Sequence, residues 1–137
     1  MNIAIVYESS TGTTATAAQA MGKEFTQLGH QCQVQSVAKA DPVEVAKADL
    51  VCIGAWVQGM LIFGQHPSEG ALKFILRLGN LAGKRTLVFC TYKIAAGSTL
   101  SQMAKALETQ GAVVAAQFQF RGHHPDAKFT QFAQTLR

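Results

Sequence analysis

The sequence predicts an α/β protein: a doubly wound, five-stranded parallel sheet in the order 2-1-3-4-5, with helices on both faces. Three observations predict it. Apolar runs alternate with amphipathic stretches five times, with no linker or low-complexity segment between them. Strict alternation implies parallel strands joined by right-handed helical crossovers. The first, third and fourth runs are apolar throughout, as strands buried on both faces must be, whereas the second alternates and suits an edge. The 137 residues are expected to form one domain, 1–137.

Ile3 to Tyr7 is the first apolar run. The helix that follows the next turn sets Ala17, Ala18, Met21, Phe25 and Leu28 on one stripe, and Gly29 ends it. Cys32 and Val34 alternate with glutamines in the second strand. A short helical turn around Val43 to Ala46 leads to the third, Leu50 to Ile53. The next helix opens at Pro67-Ser68-Glu69, turns Leu72, Ile75 and Leu76 inward, and closes at Gly79. Thr86 to Cys90 is the fourth strand, and Leu100, Met103, Ala104 and Leu107 form the stripe of the helix ending at Gly111. Val113 to Phe120 is the fifth strand. Pro125-Asp126 starts a last helix whose Phe129, Phe132, Ala133 and Leu136 face the core.

Hydrophobic content of 48% and charged content of 15% fit a compact fold and exclude a disordered chain. No apolar stretch approaches a membrane span, and the first residues read as a strand rather than a signal peptide. Cys32, Cys52 and Cys90 lie in strand-like runs without metal spacing, so reduced, buried thiols and a cytoplasmic location are expected. Charge is uneven: residues 1–68 carry three lysines against five acids, and residues 69–137 carry nine basic residues against three acids. The cations are scattered, with no Lys/Arg run or interleaved aromatics, so nucleic acid is not an expected partner.

Chemistry concentrates in the turn Ser9-Ser10-Thr11-Gly12-Thr13-Thr14, where five of six residues carry a hydroxyl. The turn falls where a helix opens, so backbone N–H groups and the positive end of the helix dipole make an anion cradle. Hydroxyls add neutral donors, and Gly12 lets the backbone fold around a phosphate. A dinucleotide fingerprint would need three spaced glycines, and a triphosphate loop would need Gly-Lys-Ser/Thr; neither is present. A response-regulator site would need an acidic cluster, whereas Glu8 stands alone. Helix capping is the competing reading, for which one or two hydroxyls suffice.

In the order 2-1-3-4-5 the loops after strands one, three and four converge on one crevice. The segment Gly54 to His66 reads as a long loop holding the single tryptophan, Trp56, placed to cover one face of a planar ring. Packing of Trp56 with Met60, Ile62 and Phe63 in a satellite core is the alternative. Thr91, Tyr92 and Lys93 follow the fourth strand, and Tyr92 stands where it would cover the other face. Gly97 and its small neighbours would let backbone amides approach a polar ring edge.

These residues resemble the flavodoxin family, whose phosphate loop Ser/Thr-x-Thr-Gly-x-Thr is matched at every fixed position from Ser9 to Thr14. The resemblance implies bound FMN. It assigns the phosphate to Ser9, Ser10, Thr11, Gly12, Thr13 and Thr14, with Thr13 standing where many relatives have asparagine. It assigns the ring to Ala55, Trp56, Val57 and Gly59 on one side and to Thr91, Tyr92, Lys93 and Gly97 on the other. Two departures accompany it. Val57 and Gln58 replace the glycine and acid that follow the aromatic in many relatives, and the usual acid before Tyr92 is Thr91. The typical flavodoxin is also acidic, unlike this chain.

The expected function is electron transfer between redox partner proteins, an acidic partner among them. Its rivals are a small FMN-dependent oxidoreductase acting on a quinone-like or tetrapyrrole-like substrate, and a regulatory domain of the same fold without flavin. His30 reads as solvated, and His66, His123 and His124 lack helical metal spacing. No nucleophile has a local base, so acyl transfer and metal hydrolysis are poor fits.

Overall fold

The computed structural model describes residues 1–60 and 63–136, apart from the side chains of Gly59, Met60 and Phe63. In chain order the elements are β1 (Asn2–Tyr7), α1 (Thr13–Gln27), β2 (Gln31–Ser36), α2 (Pro42–Val45), β3 (Leu50–Met60), β4 (Phe63–Pro67), α3 (Glu69–Arg77), β5 (Arg85–Tyr92), α4 (Thr99–Thr109), β6 (Val113–Arg121) and α5 (Ala127–Thr135). The parallel strands run in the order β2-β1-β3-β5-β6, the expected order once the added strand is numbered. Cys52 of β3 pairs with Ile5 on one side and Leu87 on the other, which puts three apolar runs at the sheet centre. β2 pairs only with β1, and its half-exposed alternation fits that edge.

Each face of the sheet has its own core. Under α1 and α5 lie Met21, Phe25, Phe89, Phe118, Phe120 and Phe129, packed largely edge to face. The opposite face is mostly aliphatic: Val6, Val51, Ile53 and Val88 meet Phe74, Ile75, Met103 and Leu107. Burial raises the Cys90 thiol to about 12 and the Cys32 thiol to about 11, and carries Cys52 well above its usual value. All three are free thiols and carry little thiolate near neutral pH.

Four expectations are corrected. The segment from Gly54 to His66 is not a loop: β3 continues to Met60 and pairs antiparallel with β4, through Val57 with Pro67 and Gln58 with His66. Register shifts between Gln58 and Met60, so Gly59 lies at a bulge. In α3 the buried positions are Ala71, Phe74 and Ile75, while Leu76 is 68% exposed, because the helix turns it away from the sheet. Leu28 caps α1 from the solvent side. His30 is buried beside Phe25 rather than solvated. The proposed satellite core of Trp56 with Met60, Ile62 and Phe63 involves Ile62, which lies outside the described residues, as does Leu61.

Candidate functional site

The carboxyl ends of β1, β3 and β5 open on a cleft of about 300 Å³, lined by Ser10, Thr11, Thr13, Trp56, Val57, Gln58, Gln65, Thr91, Tyr92, Lys93, Ile94 and Ala95. It lies at the strand crossover where ligands bind in doubly wound sheets. Eight of the lining residues were singled out from the sequence, and three separate connections bring them together.

The β1–α1 turn supplies the first wall. Gly12 is the N-cap of α1 at φ +93°, a left-handed conformation that a residue with a side chain rarely adopts. Glycine at the N-cap offers no capping side chain, and among the described residues only Ser9 of the turn's hydroxyls accepts from a main-chain N–H at the helix start. The first N–H groups of α1 have no acceptor within the helix and remain available to an anion. Ser9 Oγ accepts from the Gly12 N–H at 3.0 Å, Thr16 donates to the Gly12 carbonyl at 2.9 Å, and the Thr11 and Thr13 hydroxyls lie 3.4 Å apart. Ser10, Thr11 and Thr13 face the cleft. Thr14 is buried, and its hydroxyl shares a 2.7 Å hydrogen bond with Thr91 at the end of β5. Its side chain thus ties the turn to the second wall, and its main chain is what stands at the helix start.

Trp56 and Tyr92 both line the cleft and are half-buried. Trp56 pairs with Thr91 across β3 and β5, and its carbonyl accepts from Ser68 N–H. Ala55, next to it, is buried in the aliphatic core, and Gly97 packs against Gln65 rather than on the cleft. Two glutamines complete the polar lining. Gln58 Oε1 is buried with no hydrogen-bond partner among the described residues. Gln65, buried on β4, accepts from Gln102 Nε2 through its carbonyl. Sequence reasoning missed Gln65 because the hairpin was read as a loop, and Gly64-Gln65-His66-Pro67 carries no apolar alternation that would mark a strand.

Among the residues lining the cleft there is no carboxylate and one cation, Lys93. The Lys93 carbonyl accepts from Arg121 Nε at 3.3 Å, and Gly122 N–H donates to the Tyr92 carbonyl, so the end of β6 adjoins the rim. Five acids are engaged elsewhere: Asp41 and Asp126 cap α2 and α5, Glu44 pairs with Lys47 at 3.0 Å, Glu24 accepts from Thr130, and Asp49 accepts from Asn2 N–H. His66 bonds the Pro67 carbonyl and does not line the cleft. His123 and His124 are exposed, with ring centroids 4.1 Å apart. No group of His, Cys, Asp and Glu among the described residues is arranged to hold a metal. No helix of the described residues is long and apolar enough to cross a membrane.

The family described as Flavodoxin domain matches residues 4–135. No curated protein matches the sequence. Among solved structures, the two-electron reduced flavodoxin of Megasphaera elsdenii has a TM-score of 0.82 at 20% identity, over 98% of this chain and 99% of that one. Flavodoxin 1 of Bacillus cereus, in its oxidised form, has a TM-score of 0.76 at 17% identity over 100% of both chains. The flavodoxin of Streptococcus pneumonia TIGR4 has a TM-score of 0.79 at 19% identity, over 98% of this chain and 96% of that one. At these identities the likeness is one of fold. Members of the matched family bind FMN and transfer electrons.

Proposed function

The chain belongs to the flavodoxin family, and on that premise we propose that it binds FMN in this cleft and passes electrons between redox partner proteins. The observation that carries the proposal is the meeting of an uncapped, hydroxyl-rich helix N-terminus with Trp56 and Tyr92 around one cavity. Bound FMN would supply the redox chemistry, and the chain would supply binding, orientation and electrostatics.

Each part has a residue for it. Ser10, Thr11 and Thr13, with the N–H groups opening α1, suit the phosphate. Charge-assisted bonds of this kind are the stronger class of hydrogen bond. Trp56 and Tyr92 suit the ring faces, and the partnerless Gln58 acceptor fits a ring-edge N–H donor. Lys93 at the rim would favour a negatively charged, reduced ring, which raises the potential relative to an acidic relative. With no carboxylate lining the cleft and with Lys93 and Arg121 exposed beside it, the chain suits an acidic partner, with association that slows as salt rises. The three free thiols support a cytoplasmic setting as part of this reading.

The test is the absorbance spectrum of the purified protein, with the bound cofactor extracted and its mass measured. The proposal expects a yellow protein releasing FMN. A colourless protein that does not take up added FMN would support the flavin-free regulatory reading. Turnover of a quinone by the holoprotein, with no acceptor protein present, would favour the oxidoreductase.

A further inference from the structure

We propose that Glu8 is a positioning residue: seated on the N-terminus of α3, its carboxylate holds the Ser9–Thr13 turn in the shape that receives the phosphate. The role rests on the phosphate reading above. Glu8 ends the strand side of the turn, directly before Ser9. Its main-chain N–H donates to the Gly54 carbonyl at 3.0 Å, and its Oε1 accepts from the Ala71 N–H at 3.2 Å, 63 residues away. Both ends of the residue are therefore fixed to other elements.

The seat is built for a carboxylate. Ser68, the N-cap of α3, makes no side-chain capping bond, and its Oγ is buried without a partner among the described residues, so the helix start is served by Glu8, just past β1, instead. The positive end of the α3 dipole favours an anion there. Gly70 admits it: a Cβ at this position would lie 2.0 Å from Glu8 Oε2 and 2.5 Å from its Cδ. Gly70 has no left-handed backbone that would otherwise call for glycine. A continuous path runs from α3 through Glu8 to Ser9, whose Oγ holds the Gly12 N–H at the start of α1.

Charge alone would give Glu8 the opposite effect. An acid in a phosphate-binding turn repels the ligand, so its removal should tighten FMN binding. The clamp requires the reverse for a residue that cannot accept the Ala71 N–H, and allows tightening for one that can. E8Q keeps a carbonyl acceptor without the charge, whereas E8A removes both.

The flavin-stripped parent, E8A and E8Q are titrated with FMN and with riboflavin by fluorescence quenching. E8A should raise the FMN Kd about tenfold, the scale on which supporting contacts act, and leave riboflavin nearly unchanged. E8Q should bind FMN as tightly as the parent or more tightly. Tighter FMN binding by both variants would overturn the proposal in favour of charge alone, and equal weakening of both ligands by E8A would overturn it in favour of general destabilisation. The contact has its own readout in thermal melting without flavin. G70A should lower the Tm of the parent yet raise that of E8A, where alanine's helix propensity acts without the clash. An equal shift in both backgrounds would overturn the clamp. Equal affinities of the parent for FMN and riboflavin would instead overturn the phosphate reading on which the role depends.

Discussion

The turn that opens α1 and the hairpin of β3 and β4 face each other across the cleft, but they are held by different kinds of contact. The turn is closed by bonds within a few residues: Ser9 to Gly12, Thr11 to Thr13, Thr16 to Gly12. The hairpin is set by pairing across strands and by ties to the N-cap of α3 and to α4, Trp56 to Ser68 and Gln65 to Gln102. A charged group needs many donors converging on one point, and a short turn at a helix start supplies them. A flat ring needs extended surface with a few acceptors, and that takes a strand pair. The turn is also tied to β5, the strand beside the hairpin, through the buried Thr14–Thr91 hydroxyl pair, and Thr91 in turn pairs with Trp56.

This division of labour can be broken from either side. The largest effect is expected from Trp56→Ala and Tyr92→Ala, each weakening flavin binding by about 1–3 kcal/mol, by analogy with base stacking on aromatics. Titration of both variants with riboflavin as well as FMN should show the same loss for each ligand, since the ring is common to both. If Trp56 is a core residue instead, Trp56→Ala would lower the melting temperature of the flavin-free protein substantially.

Thr14→Ala acts on the junction. It leaves the buried Thr91 hydroxyl without its partner, and urea unfolding of the flavin-free protein should show a loss of about 1–2 kcal/mol. A variant as stable as the parent would mean that the pair does not hold the two walls together.

The smallest effect belongs to Lys93→Glu, at the exposed rim. Potentiometric titration should show the couple of the reduced, anionic flavin shifted downward by the equivalent of about 1 kcal/mol or less, since solvent and salt screen a surface charge. No shift would separate that lysine from the ring electrically.

The same contrast explains what the sequence disclosed. The turn was legible because its chemistry lies in six consecutive residues, and the sheet order was legible because the apolar runs and the alternating edge strand differ in pattern. The hairpin was not, because Gly54 to His66 contains three glycines and an apolar middle that reads equally as a loop. Its pairing joins Val57 to Pro67, which no local periodicity reveals. Gln65 was hidden with it. Glu8 was visible as a lone acid, but its partner Ala71 is brought to it only by the fold. Leu76 and Phe74 both fit an apolar stripe in α3, and the direction in which the helix packs decides between them.

The central claim is that the α1 turn is a phosphate site for FMN, and paired titration of the flavin-free protein with FMN and riboflavin tests it most directly. The two ligands share a ring and differ in the phosphate. Hydrogen bonds to a charged group contribute about 1.5–3 kcal/mol, so FMN should bind at least about tenfold more tightly. Thr11→Ala, in a residue that lines the cleft, should narrow that gap without altering riboflavin binding. Equal affinities of the unmutated protein for the two ligands would contradict the account.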